Sequence, residues 1–185
     1  AQAAKDILGR HGRIDILINS AGTNISKQRD LASLPVEGWE EVVAINLNGL
    51  FYCCHAVLPA MRAQKDGLII NVSSRAGRYP STLTGAAYNA TKRAVIALSE
   101  SINAEECKNG IRATSVLPGE VATPILEKRP VPPAREDRER MLQAEDLGQT
   151  ILYLASLPPR VCVEELVISP TWNRLVIGGL EKAKA

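Results

Sequence analysis

The 185-residue sequence lacks the features of several large classes of protein. Its 22 basic and 20 acidic residues leave a net charge of only +2, which argues against a surface that follows nucleic-acid phosphates. No uninterrupted apolar run reaches the roughly 18 residues that a membrane-spanning helix needs. The chain opens with the charged, amphipathic stretch AQAAKDILGR, which does not resemble a secretory signal. We therefore expect neither nucleic acid nor a membrane as a partner, and we expect a cytoplasmic protein.

Cysteine and histidine are also scarce. The four cysteines stand at positions 53, 54, 107 and 162, a spacing that suits neither a disulfide framework nor a metal-binding CxxC pair. The two histidines, at positions 11 and 55, have no partners at metal-ligand spacing. We predict reduced, buried, structural thiols and no metal site.

Short β-branched runs alternate along the chain with longer segments of helical periodicity. Buried strands are predicted at 14–19 and 68–74, and further strands at 111–117 and 165–169. Helices are predicted at 3–10, 39–64, 86–107 and 145–157. Residues 124–140 are rich in proline and charge and are predicted to be irregular, and the tail after Leu180 is predicted to fray. This βαβ alternation predicts an α/β protein with a parallel sheet. Its ligand is expected beyond the carboxyl ends of the strands.

Tyr88 and Lys92 are the first pair of residues that suggests a catalytic function. They are four residues apart on a predicted helix, so they share one face. A phenol normally titrates near pH 10, and a nearby ammonium group lowers the pKa because it stabilises phenolate. Such a tyrosine could exchange a proton with a substrate oxygen near neutral pH. An ordinary surface pair with the same spacing is the alternative.

Three further features accompany this pair. Ser73 and Ser74 close a buried strand, where a hydroxyl could bind a substrate oxygen or simply begin a turn. Asn46 lies inside an apolar helix, where an amide is costly unless it finds a ligand or a local backbone partner. The small residues of 19–22 allow the backbone to approach a ligand closely, or form a plain strand-to-helix turn.

Five motifs therefore follow one another in order: N-S-A-G (19–22), N-L-N-G (46–49), N-V-S-S-R-A-G (71–77), Y-N-A-T-K (88–92) and P-G-E-V-A-T (118–123). Their order and spacing resemble the classical short-chain dehydrogenase/reductase family over about residues 3–170. The resemblance implies a Rossmann-type doubly wound parallel sheet, of which this chain holds about four strands with flanking helices. It also implies an enzyme that uses NAD or NADP to reduce a carbonyl or oxidise a secondary alcohol. A small-molecule substrate and a homodimer or homotetramer formed through helices 39–64 and 86–107 are expected.

The resemblance also implies roles for individual residues. Tyr88 would be the general acid/base, and Lys92 would lower its pKa and bind the nicotinamide ribose. Ser74, with Ser73 as the alternative, would hold the substrate oxygen, and Asn46 would hold a water that joins Lys92 to a proton relay. The cofactor would be lined by Tyr88, Lys92 and a set of small or loop residues: Asn19, Ala21, Gly22, Pro118, Gly119, Val121 and Thr123.

The sequence departs from the family in one large respect. The family opens with a strand and a glycine-rich turn, T-G-x-x-x-G-x-G, which cradles the cofactor pyrophosphate at a helix N-terminus, and no such turn occurs here. We therefore expect residues 1–185 to form a partial single domain, preceded by two βαβ units, that alone binds NAD(P)H weakly. The residues that shape the substrate site are expected at 78–85 and 124–140. The alternative function is a non-catalytic relative that keeps its apolar helices for assembly.

Overall fold

Four parallel strands lie side by side in chain order in the computed structural model, which describes residues 2–25, 27–174 and 176–177. They are β1 (Ile16–Asn19), β2 (Gly67–Val72), β3 (Ile111–Pro118) and β4 (Glu165–Ile168). The register places Asn19 beside Asn71, Asn71 beside Ser115 and Ser115 beside Glu165. The predicted α/β fold with a parallel sheet of about four strands is confirmed. The tail after Leu180 lies outside the described residues.

Helices connect the strands. They are α1 (Gln2–His11), α2 (Val36–Val43), α3 (Gly49–Gln64), α4 (Arg75–Arg78), α5 (Ala86–Glu106), α6 (Arg135–Glu139) and α7 (Ala144–Ser156). A π-helical turn, Ala44–Asn48, joins α2 to α3 without a break. Short 3-10 helices occupy Cys107–Asn109 and Pro124–Lys128. The region 124–140 is thus more regular than predicted, because it contains Pro124–Lys128 and α6.

The two faces of the sheet carry separate apolar clusters. Residues of α3 and α5 pack on one face with Ile69 and Ala113, whereas α7 packs on the other face with Leu68 and Ile70.

The edge strand β1 is less buried than predicted. The register sets Ile16 beside Leu68 and Ile18 beside Ile70, on the face that α7 covers farther along the sheet. Over β1 this face stays open, and Ile16 and Ile18 are 41% and 47% exposed. The prediction of a buried strand at 14–19 is therefore wrong for one of its two faces.

The continuous helix Val36–Gln64 is long and apolar enough to cross a membrane by length and composition, which the sequence analysis did not expect of any segment. The core helix of a globular protein passes the same test. Here Leu50, Cys54, Val57 and Met61 join the core against the sheet, but only 28% of the most apolar window is buried. Pro59 lies inside α3 without ending it.

The cysteines differ from the prediction. Only Cys54 is buried, whereas Cys53, Cys107 and Cys162 are exposed free thiols. Burial raises the pKa of the Cys54 thiol to about 11, which keeps it protonated and inert at neutral pH. Among the described residues, no group of three or more His, Cys, Asp or Glu side chains could hold a metal ion.

A buried carboxylate closes α5. The Glu106 side chain is 2% exposed and accepts hydrogen bonds from Arg62 Nε at 2.9 Å and from Asn109 Nδ2 at 2.9 Å. The hydrogen bond from Arg62 is the main reason that the pKa of Glu106 falls from 4.5 to about 2. This carboxylate therefore stabilises the fold above about pH 4.5, and its contribution is lost as the pH falls toward 2.

Replacing Arg62 with Met is expected to lower the free energy of unfolding by about 1–3 kcal/mol at pH 7, because a buried carboxylate loses its cation while that cation is itself half-exposed. The difference from the parent should shrink toward pH 3, where Glu106 becomes protonated in the variant. Urea unfolding at pH 7 and at pH 3 measures this difference in the free energy of unfolding. Arg135→Met, which breaks an exposed pair with Glu139, is the matched control and should change little. An equal loss at both pH values would show that the effect is not electrostatic.

Candidate active site

A cavity of about 620 Å³ opens at the carboxyl ends of the strands. Its wall includes the residues that directly follow β2 and β3, and side chains from α5 and α7. Ligands of open parallel sheets bind at this edge, because several strand ends and loops converge there. The volume lies within the usual range for a small-molecule site.

Tyr88 and Lys92 lie side by side on the cavity wall. Lys92 is 4% exposed, and its Nζ lies 5.6 Å from the centre of the Tyr88 ring. This Nζ donates a hydrogen bond of 2.8 Å to the carbonyl oxygen of Val72, the last residue of β2. Burial lowers the pKa of Lys92 to about 8, so the ammonium form still predominates at neutral pH.

The pKa of Tyr88 is raised rather than lowered, which differs from the sequence expectation. Burial is the largest cause, and the Ser74 hydroxyl and the charges of Arg129 and Arg29 oppose it only in part. Burial outweighs any stabilisation of the phenolate by Lys92, whose Nζ lies 5.6 Å from the ring centre and donates a hydrogen bond to a backbone carbonyl. The phenol is therefore protonated at neutral pH.

The two serines at the end of β2 have different tasks. Ser73 is 3% exposed, and its Oγ donates a hydrogen bond of 2.6 Å to the carbonyl oxygen of Lys92. Gly77 permits this approach, because a Cβ there would lie 2.7 Å from the same carbonyl oxygen. Ser74 lines the cavity, and its Oγ accepts a hydrogen bond of 3.1 Å from the backbone N–H of Ala76. Ser74 keeps a donor hydrogen for a ligand, whereas Ser73 fixes α5 against the sheet.

Asn46 is buried in the π-helical turn and is fully paired. Its Oδ1 accepts a hydrogen bond of 2.7 Å from Thr23 N, and its Nδ2 donates to Thr23 O at 3.0 Å and to Thr91 Oγ1 at 3.2 Å. The side chain thus joins the loop after β1 to α5 at the residue before Lys92, and it does not itself line the cavity.

The residues predicted to bind cofactor divide into two groups. Asn19 and Ala21 do not line the cavity, and Asn19 Nδ2 instead donates a hydrogen bond of 2.9 Å to Asn71 Oδ1 inside the sheet. The others do line it, together with Ser74, Tyr88 and Lys92: Gly22, Pro118, Gly119, Val121 and Thr123.

The sequence analysis gave no individual role to four charged residues of the cavity wall: Arg29, Arg75, Glu120 and Arg129. Arg129 nevertheless lies within 124–140, where the substrate site was expected. Arg29 is 7% exposed and donates to the carbonyl oxygens of Ile25, Leu83 and Lys128, which ties three loops together. Glu120 and Arg129 form an ion pair, with 2.6 Å between Arg129 Nη1 and Glu120 Oε1. Arg75 and Glu120 carried a signal, since each lies in a motif that closely follows a strand, whereas Arg29 and Arg129 lie in loops without periodicity.

The fold and the cavity together define a Rossmann-type α/β protein with a ligand site at the carboxyl edge of its sheet. The family model described as short chain dehydrogenase matches residues 1–132. The chain belongs to this family.

Known proteins similar to this chain agree with that assignment. An uncharacterized oxidoreductase of Staphylococcus epidermidis is 33% identical over 166 residues, which cover 90% of this chain and 69% of the relative. The crystal structure of serine dehydrogenase from Escherichia coli superposes with a TM-score of 0.77 at 28% identity, covering 91% of this chain and 69% of that one. An alcohol dehydrogenase from the archaeon Thermococcus sibiricus, complexed with 5-hydroxy-NADP, gives a TM-score of 0.79 at 26% identity and covers 94% and 70%. This chain is an oxidoreductase of the NAD(P)-dependent type.

Proposed function

We propose that the protein reduces a carbonyl group, or oxidises a secondary alcohol, by hydride transfer with Tyr88 as the general acid/base. The observation that carries the proposal is the convergence of the Tyr88 phenol, the Ser74 hydroxyl and the Lys92 ammonium group on one cavity. Two hydroxyl donors can bind one carbonyl oxygen, and the neighbouring cation favours the phenolate that proton transfer leaves behind.

Each residue has a defined part in the reduction. Ser74 and Tyr88 donate hydrogen bonds to the carbonyl oxygen and so polarise the carbonyl carbon. The nicotinamide, when bound, supplies the hydride that this carbon accepts. Tyr88 transfers its phenolic proton to the oxygen, which yields the alcohol and leaves a phenolate beside Lys92. The raised pKa of Tyr88 keeps the phenol protonated at neutral pH, so the proton is present for donation. Oxidation of an alcohol requires the phenolate and is expected to quicken as the pH rises.

The cavity residues fit the nicotinamide end of the cofactor. Gly22 leaves room beside the lysine, because a Cβ at this position would lie 3.2 Å from Lys92 Nζ. We assign the cofactor wall to Gly22, to Pro118 at the end of β3 and to three residues after it: Gly119, Val121 and Thr123. Cofactor contacts of Asn19 and Ala21 stay predictions, as does the water that Asn46 would hold for a proton relay.

We also propose that the partner in assembly is a second copy of this chain. Phe51 and Tyr52 on α3 are exposed, and they belong to the predicted interface helix 39–64. Sedimentation equilibrium should give twice or four times the monomer mass, and a monomer at micromolar concentration would contradict this. The cytoplasmic location also stays a prediction.

A turnover assay separates the enzyme from the non-catalytic alternative. The complete protein is mixed with NADH or NADPH and a panel of small ketones, and with the oxidised cofactors and the matching alcohols. We expect cofactor oxidation with at least one ketone and reversal with its alcohol. Tight cofactor binding with no turnover across the whole panel would favour the non-catalytic relative.

A further inference from the structure

The charges around the cavity are strongly unbalanced. Among its described lining residues, four are cations and one is an anion: Arg29, Arg75, Lys92, Arg129 and Glu120. Glu120 cannot neutralise the four, because it is also bonded to Arg174, at 2.8 Å from Arg174 Nε to its Oε2. A cavity with this excess of positive charge favours an anionic ligand over a neutral one.

The two most buried cations have no described carboxylate partner. Arg29 donates only to backbone carbonyl oxygens, and Lys92 donates only to the carbonyl oxygen of Val72. A buried cation without a counter-charge is costly, and an anion bound in the cavity would offset that cost. The pKa of Arg29 is lowered, mainly by burial and secondly by the positive charge of Arg129, which lines the same cavity.

Arg129 is the cation best placed to contact such an anion. Its side chain is 11% exposed, and its Nη1 donates a hydrogen bond of 2.6 Å to Glu120 Oε1. The described residues provide no hydrogen-bond partner for its Nε and Nη2, so these donors remain for a ligand in the cavity that Arg129 lines. Burial pushes the pKa of Glu120 upward, but the hydrogen bonds from Arg174 and Arg129 overcome this and keep it lowered. Glu120 therefore stays ionised and fixes the guanidinium.

We propose that Arg129, oriented by Glu120, binds an anionic group of the substrate, so that the substrate is a small oxo acid or hydroxy acid. The proposal rests on the proposed function, which supplies the reacting carbonyl or alcohol at Tyr88. Arg129 would determine specificity, since its fixed donors can bind a carboxylate through two parallel hydrogen bonds. Arg129 could bind either of two anions, the carboxylate of a substrate or a phosphate of the cofactor, and the experiment below distinguishes them.

Binding of a matched acid and ester tests the proposal without turnover. Ligand-observed NMR titrations use 3-hydroxybutyrate and methyl 3-hydroxybutyrate, each with NADP⁺ present, on the complete protein. We expect Arg129→Gln to weaken binding of the acid about tenfold or more and binding of the ester less than about twofold. Arg129→Lys keeps the charge but not the paired donors and should recover part of the loss.

The controls separate the possible failures. Arg138→Gln removes an arginine from the same region, one that pairs with Glu127 outside the cavity lining, and should leave acid binding unchanged. Tyr88→Phe should retain acid binding. Binding of the acid by Arg129 can therefore be tested even if Tyr88 is not the general acid/base. An unchanged preference for acid over ester in Arg129→Gln, or no acid binding by the parent, would overturn the proposal. Weaker NADPH binding with unchanged acid binding would also overturn it and would assign the cation to the cofactor.

Discussion

Tyr88→Phe is expected to reduce kcat by a factor of about 10²–10⁴ or more in the complete protein, while the affinity for NAD(P)H changes less than about twofold. The variant loses only the hydroxyl that donates the proton, and the ring keeps its contacts on α5 and with Lys92. Without that donor, the oxyanion that develops in the reduction has only Ser74 to stabilise it. Steady-state kinetics and cofactor fluorescence titration measure the two effects.

Tyr153→Phe is the matched control for this variant. Tyr153 is exposed on α7 and does not line the cavity, so the same chemical change should leave turnover intact. Activity of Tyr88→Phe within a few-fold of the parent would exclude Tyr88 as the proton donor.

Lys92→Met is expected to reduce both kcat and cofactor affinity, because one ammonium group serves both. The pH profile for alcohol oxidation should move about one unit or more to the alkaline side, since the phenolate loses its neighbouring cation. In the parent, Lys92 loses its positive charge as the pH rises through about 8, which is its pKa. The variant should therefore differ most from the parent below pH 8.

Stability measurements separate this effect from unfolding. A lysine whose pKa is lowered to about 8 by burial destabilises the fold at pH 7, and this cost disappears as the pH rises past the unfolded value of 10.5. Lys92→Met removes the buried charge, so we expect it to unfold at an equal or higher urea concentration at pH 7. Lys108→Met, at an exposed position, should leave the profile unchanged. An unshifted profile with normal cofactor affinity would show that Lys92 is merely structural.

Periodicity and composition predicted the order of strands and helices because those signals are local. The β-branched runs became β1 to β4, and the apolar segments became α2–α3 and α5. The exposure of Ile16 and Ile18 was not predictable in this way, because it depends on how far α7 extends across the sheet. The exposure of three of the four cysteines likewise depends on packing between distant elements.

Much the same division holds for the site. Tyr88 and Lys92 share a helix face by spacing alone. Ser73 and Ser74 were indicated by their place at a strand end, and the family resemblance favoured Ser74. The direction of the Tyr88 pKa shift could not be predicted from the sequence, because the pKa is raised by burial that only the assembled cavity creates. Arg29 and Arg129 come from loops 100 residues apart, and no local pattern could have indicated that both line one cavity.

Deuterium transfer tests the proposed chemistry most directly. The complete protein is supplied with NADPH or NADH deuterated at the transferable position of the nicotinamide, together with the best ketone of the panel, and the alcohol is analysed by mass spectrometry. Hydride transfer at this cavity predicts one deuterium on the former carbonyl carbon in the parent and in Tyr153→Phe, with product formation in Tyr88→Phe slowed by about 10² or more. Unlabelled alcohol, or labelled alcohol formed by Tyr88→Phe at the parental rate, would contradict it.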